Sequence, residues 1–420
     1  MKTAITGYSR LFAVNSRLVV FSFLMALYSS FGQTYFVGVF GPTIQSEFSL
    51  SHTAWGTIYL LGTLGSALVM PFSGALIDRF RLSQYALGVN LLLVTACAYV
   101  SVVQGPIGLV LAIFLLRQAG QGLASHVSVT SMARYFERDR GRAIAIGAMG
   151  YTLGESLLPF VAVVLISLIG WRWTYASSAI FIGLTAIPAT IWLLSRHEKF
   201  HQKHVDDISE ASQSPSAIRP AWTRRQVLRD PRYYLMAPGL LSSSMIVTAF
   251  FFHHLNIAAT KGWSNEWVTG TYILYAITGT ITMFIAGPLI DRFTAIKVTQ
   301  FILIPLVASC LILANATHYL TVIPYMAMLG IHSALVLTAV SALWPELYGV
   351  RYLGAIKSLF MALMVLSSAL GPVIMGILID IGMSIGLICT LFGLYALVGN
   401  ALVVVALRMP SPSKNMSRVI

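Results

Sequence analysis

Long apolar runs alternate with short polar or charged segments along the whole chain. Runs such as 18–41 and 144–169 contain at most one charged residue. A helix needs about 20 apolar residues to cross the ~30 Å hydrocarbon core of a bilayer. The pattern therefore predicts an all-α integral membrane protein with twelve transmembrane helices. The predicted spans are, within a few residues, 17–42, 53–77, 84–103, 107–133, 142–168, 172–195, 233–257, 266–290, 297–315, 320–343, 352–379 and 383–408.

One polar segment is much longer than the others and separates six predicted spans from the next six. It covers residues 196–232 and includes the small polar stretch 209–216. Such a composition is typical of a solvated linker. We predict an N-terminal six-helix bundle over 1–195, a cytoplasmic linker over 196–232, and a C-terminal six-helix bundle with a short cytoplasmic tail over 233–420.

The two halves of the chain repeat a short loop pattern. Residues 74–80 read Gly-Ala-Leu-Ile-Asp-Arg-Phe, and residues 287–293 read Gly-Pro-Leu-Ile-Asp-Arg-Phe, at an offset of 213 positions. The same offset relates further pairs in the later spans, namely Tyr135 and Tyr348, Gly141 and Gly354, and Pro159 and Pro372. A repeat at this distance predicts two pseudo-symmetric six-helix bundles.

The loop pattern resembles a motif of the major facilitator superfamily of secondary transporters, Gly-x-Leu-x-Asp-Arg-x-Gly-Arg. Gly74, Asp78 and Arg79 fit it, whereas Arg81 stands where the family usually has glycine. The resemblance extends over essentially the whole chain and implies that family's fold, alternating access and a monomer. The chain also looks similar to the monocarboxylate and oxalate/formate branch, although it lacks that branch's buried Asp/Arg pair in the eighth helix.

In this family the loop contacts form part of a latch that favours the outward-open state. The resemblance implies the same gating role for one residue set in each half, Gly74, Asp78 and Arg79, and Gly287, Asp291 and Arg292. Asp78 is expected to pair with a basic residue of a neighbouring loop, such as Arg134 or Arg142. The alternative is an ordinary solvated Asp-Arg turn.

Composition and charge agree with a membrane protein. Hydrophobic residues make up 57% of the chain and charged residues 10%, against about 25% charged in soluble domains. The predicted cytoplasmic segments contain 24 of the 27 Lys and Arg residues, which places both termini in the cytoplasm by the positive-inside rule. We predict a multi-pass protein of the cell (inner) membrane. The net charge of +13 is spread over many loops, so no nucleic-acid partner is expected.

Two charged residues, Arg117 and Glu155, lie deep within predicted spans. Such residues normally face a cavity and find a partner, because an unpaired charge at the bilayer centre is unfavourable by about 2.5–3.5 kcal/mol. Both fall near the midplane, where they could pair. We interpret Arg117 as an anion-binding residue and Glu155 as a proton-coupling residue whose ionised form Arg117 supports. The alternative is a salt bridge that only joins two helices.

Other polar residues interrupt the apolar spans. Gln121 lies on the predicted helical stripe through Arg117. The resemblance implies that the first, fourth, seventh and tenth helices line a cavity, which adds Tyr28, Gln33, Asn256 and His332 as candidate substrate-binding residues. Each of these side chains has an alternative role in a hydrogen bond between helices.

These features predict a secondary active transporter for a small organic solute, an organic anion such as a carboxylate, with coupling to protons. The alternative is a proton-driven exporter of drugs or other hydrophobic compounds. We expect no enzyme activity, and the chain has no Walker loop, which argues against an ATP-driven pump. Cys97, Cys310 and Cys389 are far apart in sequence, so neither a metal site nor a cofactor is expected.

Overall fold

The computed structural model describes residues 2–136, 140–195, 197, 222–349 and 352–409. Within these residues the secondary structure is helical, with no strand. Eleven helices in this part of the chain are long and apolar enough to span a membrane. Most of the predicted linker, at 196 and 198–221, and the predicted tail at 410–420 lie outside the described residues.

The helices of the described residues are numbered here in chain order. They are α1 (Lys2–Ser29), α2 (Thr34–Gly38), α3 (Gly41–Phe48), α4 (His52–Ala75), α5 (Leu82–Val102), α6 (Pro106–Leu116), α7 (Ser125–Tyr135), α8 (Arg140–Leu194), α9 (Arg224–Val227), α10 (Pro231–Phe252), α11 (His254–Thr260), α12 (Asn265–Gly270), α13 (Tyr272–Phe293), α14 (Ala295–Thr299), α15 (Ile304–Ala314), α16 (Val322–Tyr348), α17 (Leu353–Asp380) and α18 (Ile385–Arg408). Short 3₁₀ turns lie at Ser30–Gly32, Leu76–Asp78 and Tyr319–Thr321, and a π-helix covers Arg117–Ala124.

Helix α8 supplies two of the predicted spans. It has 55 residues, or about 80 Å at ~1.5 Å per residue, which is far more than one bilayer crossing needs. Its helical geometry is interrupted at Gly170, with φ 79° and ψ 162°, where glycine can adopt a positive φ without a steric penalty. The interruption falls between predicted spans 142–168 and 172–195. The twelve predicted crossings and the all-helical fold are thereby confirmed.

Contacts divide the chain into two compact units. The first contains residues 1–50 and 57–216, and the second contains residues 51–56 and 217–420. The first turn of α4 is therefore grouped with the second unit. The bundle boundaries predicted from the sequence remain a prediction.

Glycines bring α8 close to α1 in the first unit. A Cβ atom added to Gly150 would overlap the carbonyl oxygen of Phe23, and one added to Gly154 would overlap the Ser30 hydroxyl. Small residues allow membrane helices to pack at short distance in this way. The close contact fixes Tyr151 and Glu155, which share this segment of α8, beside the end of α1.

Glycines also allow close helix packing in the second unit. Gly239 of α10 and Gly399 of α18 lie backbone against backbone, and Gly371 of α17 packs on the carbonyl oxygen of Met245. Alanine at these sites would force the helices apart. Close contacts between helices of this unit thus lie at glycines, as expected for helices packed in lipid.

Candidate functional site

Two irregular segments of the first unit meet at Gly32 and Gly120. Helix α1 ends in the 3₁₀ turn Ser30–Gly32, and Gln33 then adopts an extended conformation, with φ −86° and ψ 155°, before α2 begins. A Cβ atom added to Gly120, within the π-helix Arg117–Ala124, would lie 2.6 Å from the Gly32 nitrogen. Non-helical backbone at membrane depth is tolerated where it is buried in protein or lines a cavity, and π segments are frequent at functional sites.

The predicted spans 17–42 and 107–133 are both present, but neither is a regular α-helix throughout. The first predicted span is broken at Gln33, and the fourth changes to π geometry at Arg117. The break exposes carbonyl groups that an intact helix would use, and Gly32 and Gly120 have no side chains to hold the two backbones apart.

Arg117 lies at this junction and is 2% exposed. Its Nη1 donates to the carbonyl oxygen of Gly32 and to the Thr34 hydroxyl, each at 3.3 Å. Its Nε is buried without a hydrogen-bond partner. The guanidinium carbon also lies 5.2 Å from the centroid of the Tyr59 ring, within the range of a cation–π interaction. Every partner of this buried cation among the described residues is neutral.

Glu155 is also buried, at 7% exposure. Neither it nor Arg117 forms an ion pair with a described residue. Arg117 and Glu155 therefore form no direct pair, because the guanidinium is directed to the broken end of α1. The proton-coupling role of Glu155 stays a prediction. Tyr151, one turn before Glu155 on α8, packs edge-on against Tyr35 with 5.6 Å between ring centroids. Aromatic side chains thus occupy the Arg117 side of this α8 segment.

The other candidates of the first unit differ in their proximity to Arg117. Gln33 is buried in the break itself, and Gln121 lies in the π-helix with its backbone close to Gly32. Tyr28 instead packs its ring against Phe181, at 6.4 Å between centroids. The structure therefore brings Gln33 and Gln121 to the Arg117 junction, whereas Tyr28 packs toward the second half of α8.

Sequence reasoning missed Tyr59 and the importance of Gln118. Tyr59 is fully buried, and a tyrosine within an apolar span gives no signal that distinguishes it from a core residue. Gln118 accepts a hydrogen bond from Ser66 at 3.0 Å and donates to Ser73 at 2.7 Å, which fixes the π-helix to α4.

The candidates of the second unit are already hydrogen-bonded within that unit. His332 has Nε2 2.7 Å from the Ser243 hydroxyl and Nδ1 2.8 Å from the Ile302 carbonyl oxygen. Since a carbonyl can only accept, Nδ1 is the donor and Nε2 the acceptor. The Asn256 amide nitrogen lies 3.3 Å from a ring nitrogen of His52. Substrate binding by His332 and Asn256 remains a prediction.

A second buried arginine, Arg232, shows how this chain neutralises a structural cation. Its Nη2 lies 2.8 Å from the Asp230 carboxylate, which also accepts from the Tyr348 hydroxyl at 3.0 Å. Asp230 additionally caps α10 by accepting from the Arg232 backbone nitrogen. Arg117 has no acidic partner of this kind among the described residues.

The loop motif of the first half forms the expected ion pair. Arg134 Nη2 contacts Asp78 Oδ1, with side chains 31% and 68% exposed. A Cβ atom on Gly74 would meet a Met70 methyl group at 3.2 Å, whereas Gly287 has open space around it. Gly74 is therefore less tightly packed than Gly32, Gly120 and Gly150.

The second half lacks this ion pair in the described residues. Leu347 occupies the position that corresponds to Arg134 at the 213-residue offset, and Asp291 has no ion-pair partner among the described side chains. Glu346 accepts instead from the backbone nitrogen of Ala295 at 2.7 Å. The repeated motif therefore has different contacts in its two copies.

We expect Asp78→Asn to slow transport about two- to fivefold, because an exposed ion pair contributes at most about 1 kcal/mol to one conformation. The exchanged pair Asp78→Arg with Arg134→Asp should restore most of the rate. Initial uptake rates in proteoliposomes provide the measurement, and Asp291→Asn is the matched control with a smaller effect. Equal losses in Asp78→Asn and Asp291→Asn would contradict a role specific to the Asp78 pair.

Comparisons with known proteins agree with the fold. The family model of the Major Facilitator Superfamily matches residues 22–372. A gallate transporter from Pseudomonas putida is 24% identical over 406 residues, which cover 90% of this chain and 89% of that protein. The crystal structure of the nucleoside transporter NupG has a TM-score of 0.71 at 11% identity, with 94% of this chain and 100% of that chain covered.

A bacterial homologue of the human lysosomal transporter Spinster, solved in an inward-facing and unoccupied conformation, has a similar fold as well. Its TM-score is 0.62 at 16% identity, and 94% of each chain is covered. At such identities the two solved structures show the fold alone. With the family model matching most of its length, the chain belongs to the Major Facilitator Superfamily and is a multi-pass membrane protein of the secondary transporter class.

Proposed function

We propose that this transporter moves an organic anion, a carboxylate, by alternating access coupled to protons. The observation that carries the proposal is Arg117, a buried guanidinium whose partners are all neutral. A buried cation without a counter-charge is unfavourable by several kcal/mol. A bound carboxylate would supply that counter-charge and charge-assisted hydrogen bonds.

The contrast with Arg232 supports a ligand role for Arg117 over a packing role. Arg232 is held by an acid two residues away on the same helix end, whereas Arg117 has no acidic partner among the described residues. An arginine kept only for packing would be expected to have such a partner, or to be replaced by an apolar side chain. The open guanidinium also favours an anion over a lipophilic cation.

The distant similarity to a gallate transporter directs the choice of first substrate. Gallate is an aromatic carboxylate, and the aromatic rings of Tyr35, Tyr59 and Tyr151 lie around the Arg117 junction. Stacked or edge-on contact with such rings stabilises an aromatic ligand. Benzoate and gallate are therefore the first compounds to test.

Proton coupling is assigned to Glu155. An anion bound at Arg117 balances one positive charge, so an ionised Glu155, which is buried in the same unit, would leave a buried excess of negative charge. Protonation of Glu155 removes that excess, and anion and proton would then be carried together. The protein is proposed to act as a monomer in the cell (inner) membrane, with both termini in the cytoplasm.

The test is proton movement in proteoliposomes that contain an internal pH dye. Gallate added outside should acidify the lumen faster than in protein-free vesicles, which correct for passive entry of the uncharged acid. A lipophilic cation such as tetraphenylphosphonium should have no effect. If the cation drives protons out and gallate does nothing, the protein is an exporter of hydrophobic compounds and the carboxylate assignment is wrong.

A further inference from the structure

A hydroxyl pair lies directly against the Arg117 guanidinium. The Thr34 hydroxyl, on the first residue of α2, is 2.5 Å from the hydroxyl of Tyr59 on α4. Thr34 also lies 3.3 Å from Arg117 Nη1, and the Tyr59 ring lies under the guanidinium carbon. Thr34 and Tyr59 thus contact each other through their hydroxyls. Thr34 contacts Arg117 through its hydroxyl, and Tyr59 contacts Arg117 through its ring.

The direction of these hydrogen bonds is fixed in part by chemistry. Arginine has donors only, so the Thr34 oxygen accepts from Nη1. Gly32 accepts from the same nitrogen through its carbonyl oxygen. Both acceptors therefore engage Nη1, while neither Nε nor Nη2 donates to a described residue.

This asymmetry leaves the Nε/Nη2 edge of the guanidinium without a hydrogen-bond partner among the described residues. The Nε and Nη2 hydrogens lie side by side in the plane of the group and match the two oxygens of a carboxylate. We propose that Thr34 and Tyr59 are positioning residues, which hold Arg117 through Nη1 and the ring face so that its Nε/Nη2 edge receives the substrate carboxylate. The inference rests on the carboxylate transport proposed above.

The location of the pair strengthens the argument. Thr34 follows the extended residue Gln33, so its position depends on the break in α1. Tyr59 is fully buried on α4, and its hydroxyl fixes the Thr34 side chain from the other side. Arg117 is thereby held by a neighbouring helix break and by a rigid helix, and a fixed geometry of this kind is what bidentate binding requires.

The test uses gallate uptake by purified variants in proteoliposomes. Thr34→Val and Tyr59→Phe each remove one hydroxyl and should raise the KM for gallate about 5- to 30-fold, the effect of one lost hydrogen bond to or beside a charged group, with little change in maximal rate. Tyr59→Leu also removes the ring and should raise the KM further. Thr34→Ser keeps the hydroxyl and should restore most of the affinity.

Matched controls are Thr95→Val and Tyr395→Phe, whose hydroxyls lie on exposed helix faces and bond to backbone carbonyls. Thermal stability of every variant is measured with and without gallate. A role only in packing would lower stability and maximal rate at unchanged KM, and that result would overturn the inference. If Thr34→Val does not fold, the KM values of Tyr59→Phe and Thr34→Ser still test the positioning role.

The outcomes separate this inference from the proposed function. If wild type transports gallate and Arg117→Met does not, but Thr34→Val and Tyr59→Phe retain the wild-type KM, only the positioning role is wrong. If wild type transports no carboxylate, both proposals fail together. A raised KM in both hydroxyl variants, with rescue by Thr34→Ser, supports the positioning role.

Discussion

Replacement of Arg117 by methionine is expected to lower carboxylate uptake at least about 30-fold while the protein remains folded. Loss of one partner of a buried charge pair changes binding by about 2 kcal/mol or more, and methionine fills the volume with a flexible apolar chain. The guanidinium has no acidic partner among the described residues. Its removal therefore leaves no described acid buried without a counter-charge, and the variant should remain folded. Uptake in proteoliposomes and thermal unfolding in detergent provide the two measurements.

Arg232→Met is the matched comparison. It leaves Asp230 buried without a cation, and we expect a loss of about 3–5 kcal/mol in the free energy of unfolding. Arg117→Lys tests geometry separately, because lysine keeps the charge but not the planar pair of donors. A large loss of stability in Arg117→Met, equal to that in Arg232→Met, would refute a ligand role for Arg117.

The hydropathy pattern was sufficient for the fold because membrane spans are defined by length and polarity. It located the interruption at Gly170 between two spans as well as the polar loops, and the repeat at 213 residues located the Asp78 loop. The ion pair of Asp78 with Arg134 follows the expectation that a motif acid meets a basic neighbouring loop. These features depend on local sequence and on charge alone.

The orientation of Arg117 could not be obtained in this way. In a regular α-helix over 107–133, the residues on the same face as Arg117 could be read from the helical period. The π-helix at Arg117–Ala124 has i→i+5 hydrogen bonds, which change the direction in which the following side chains point. The break after Gly32 depends on the Gly32 and Gly120 contact, which joins residues 88 positions apart. Hydropathy has no information about such a contact, so the sequence left open whether Arg117 and Glu155 pair, and the structure shows no ion pair between them.

Burial of Glu155, by contrast, followed directly from its sequence. It is the acid within a long apolar run, and its side chain is indeed buried without an ion pair to a described residue. The structure shows neither a hydrogen bond nor an ion pair between Glu155 and Arg117. Proton binding and anion binding should therefore be separable by mutation.

Glu155→Gln is expected to abolish accumulation of gallate while exchange across the membrane continues. One monoanion moved with one proton is electroneutral, so a pH difference of one unit can support an accumulation ratio of about ten. Glutamine imitates the protonated carboxyl group and cannot release a proton. The variant should therefore equilibrate gallate to a ratio near one and lose its pH-dye signal, yet exchange labelled for unlabelled gallate at a rate within about threefold of wild type.

Glu266→Gln is the matched control, because Glu266 is an exposed acid in the first turn of α12 and its change should leave the accumulation ratio at the wild-type value. The two assays separate the roles of Arg117 and Glu155. Arg117→Met should lose exchange and accumulation together, whereas Glu155→Gln should lose accumulation alone. Gallate accumulated by Glu155→Gln against a pH gradient would remove Glu155 from proton coupling and leave the anion site unaffected. Loss of exchange in Glu155→Gln would instead show that the carboxyl group is needed for binding or for the conformational change itself.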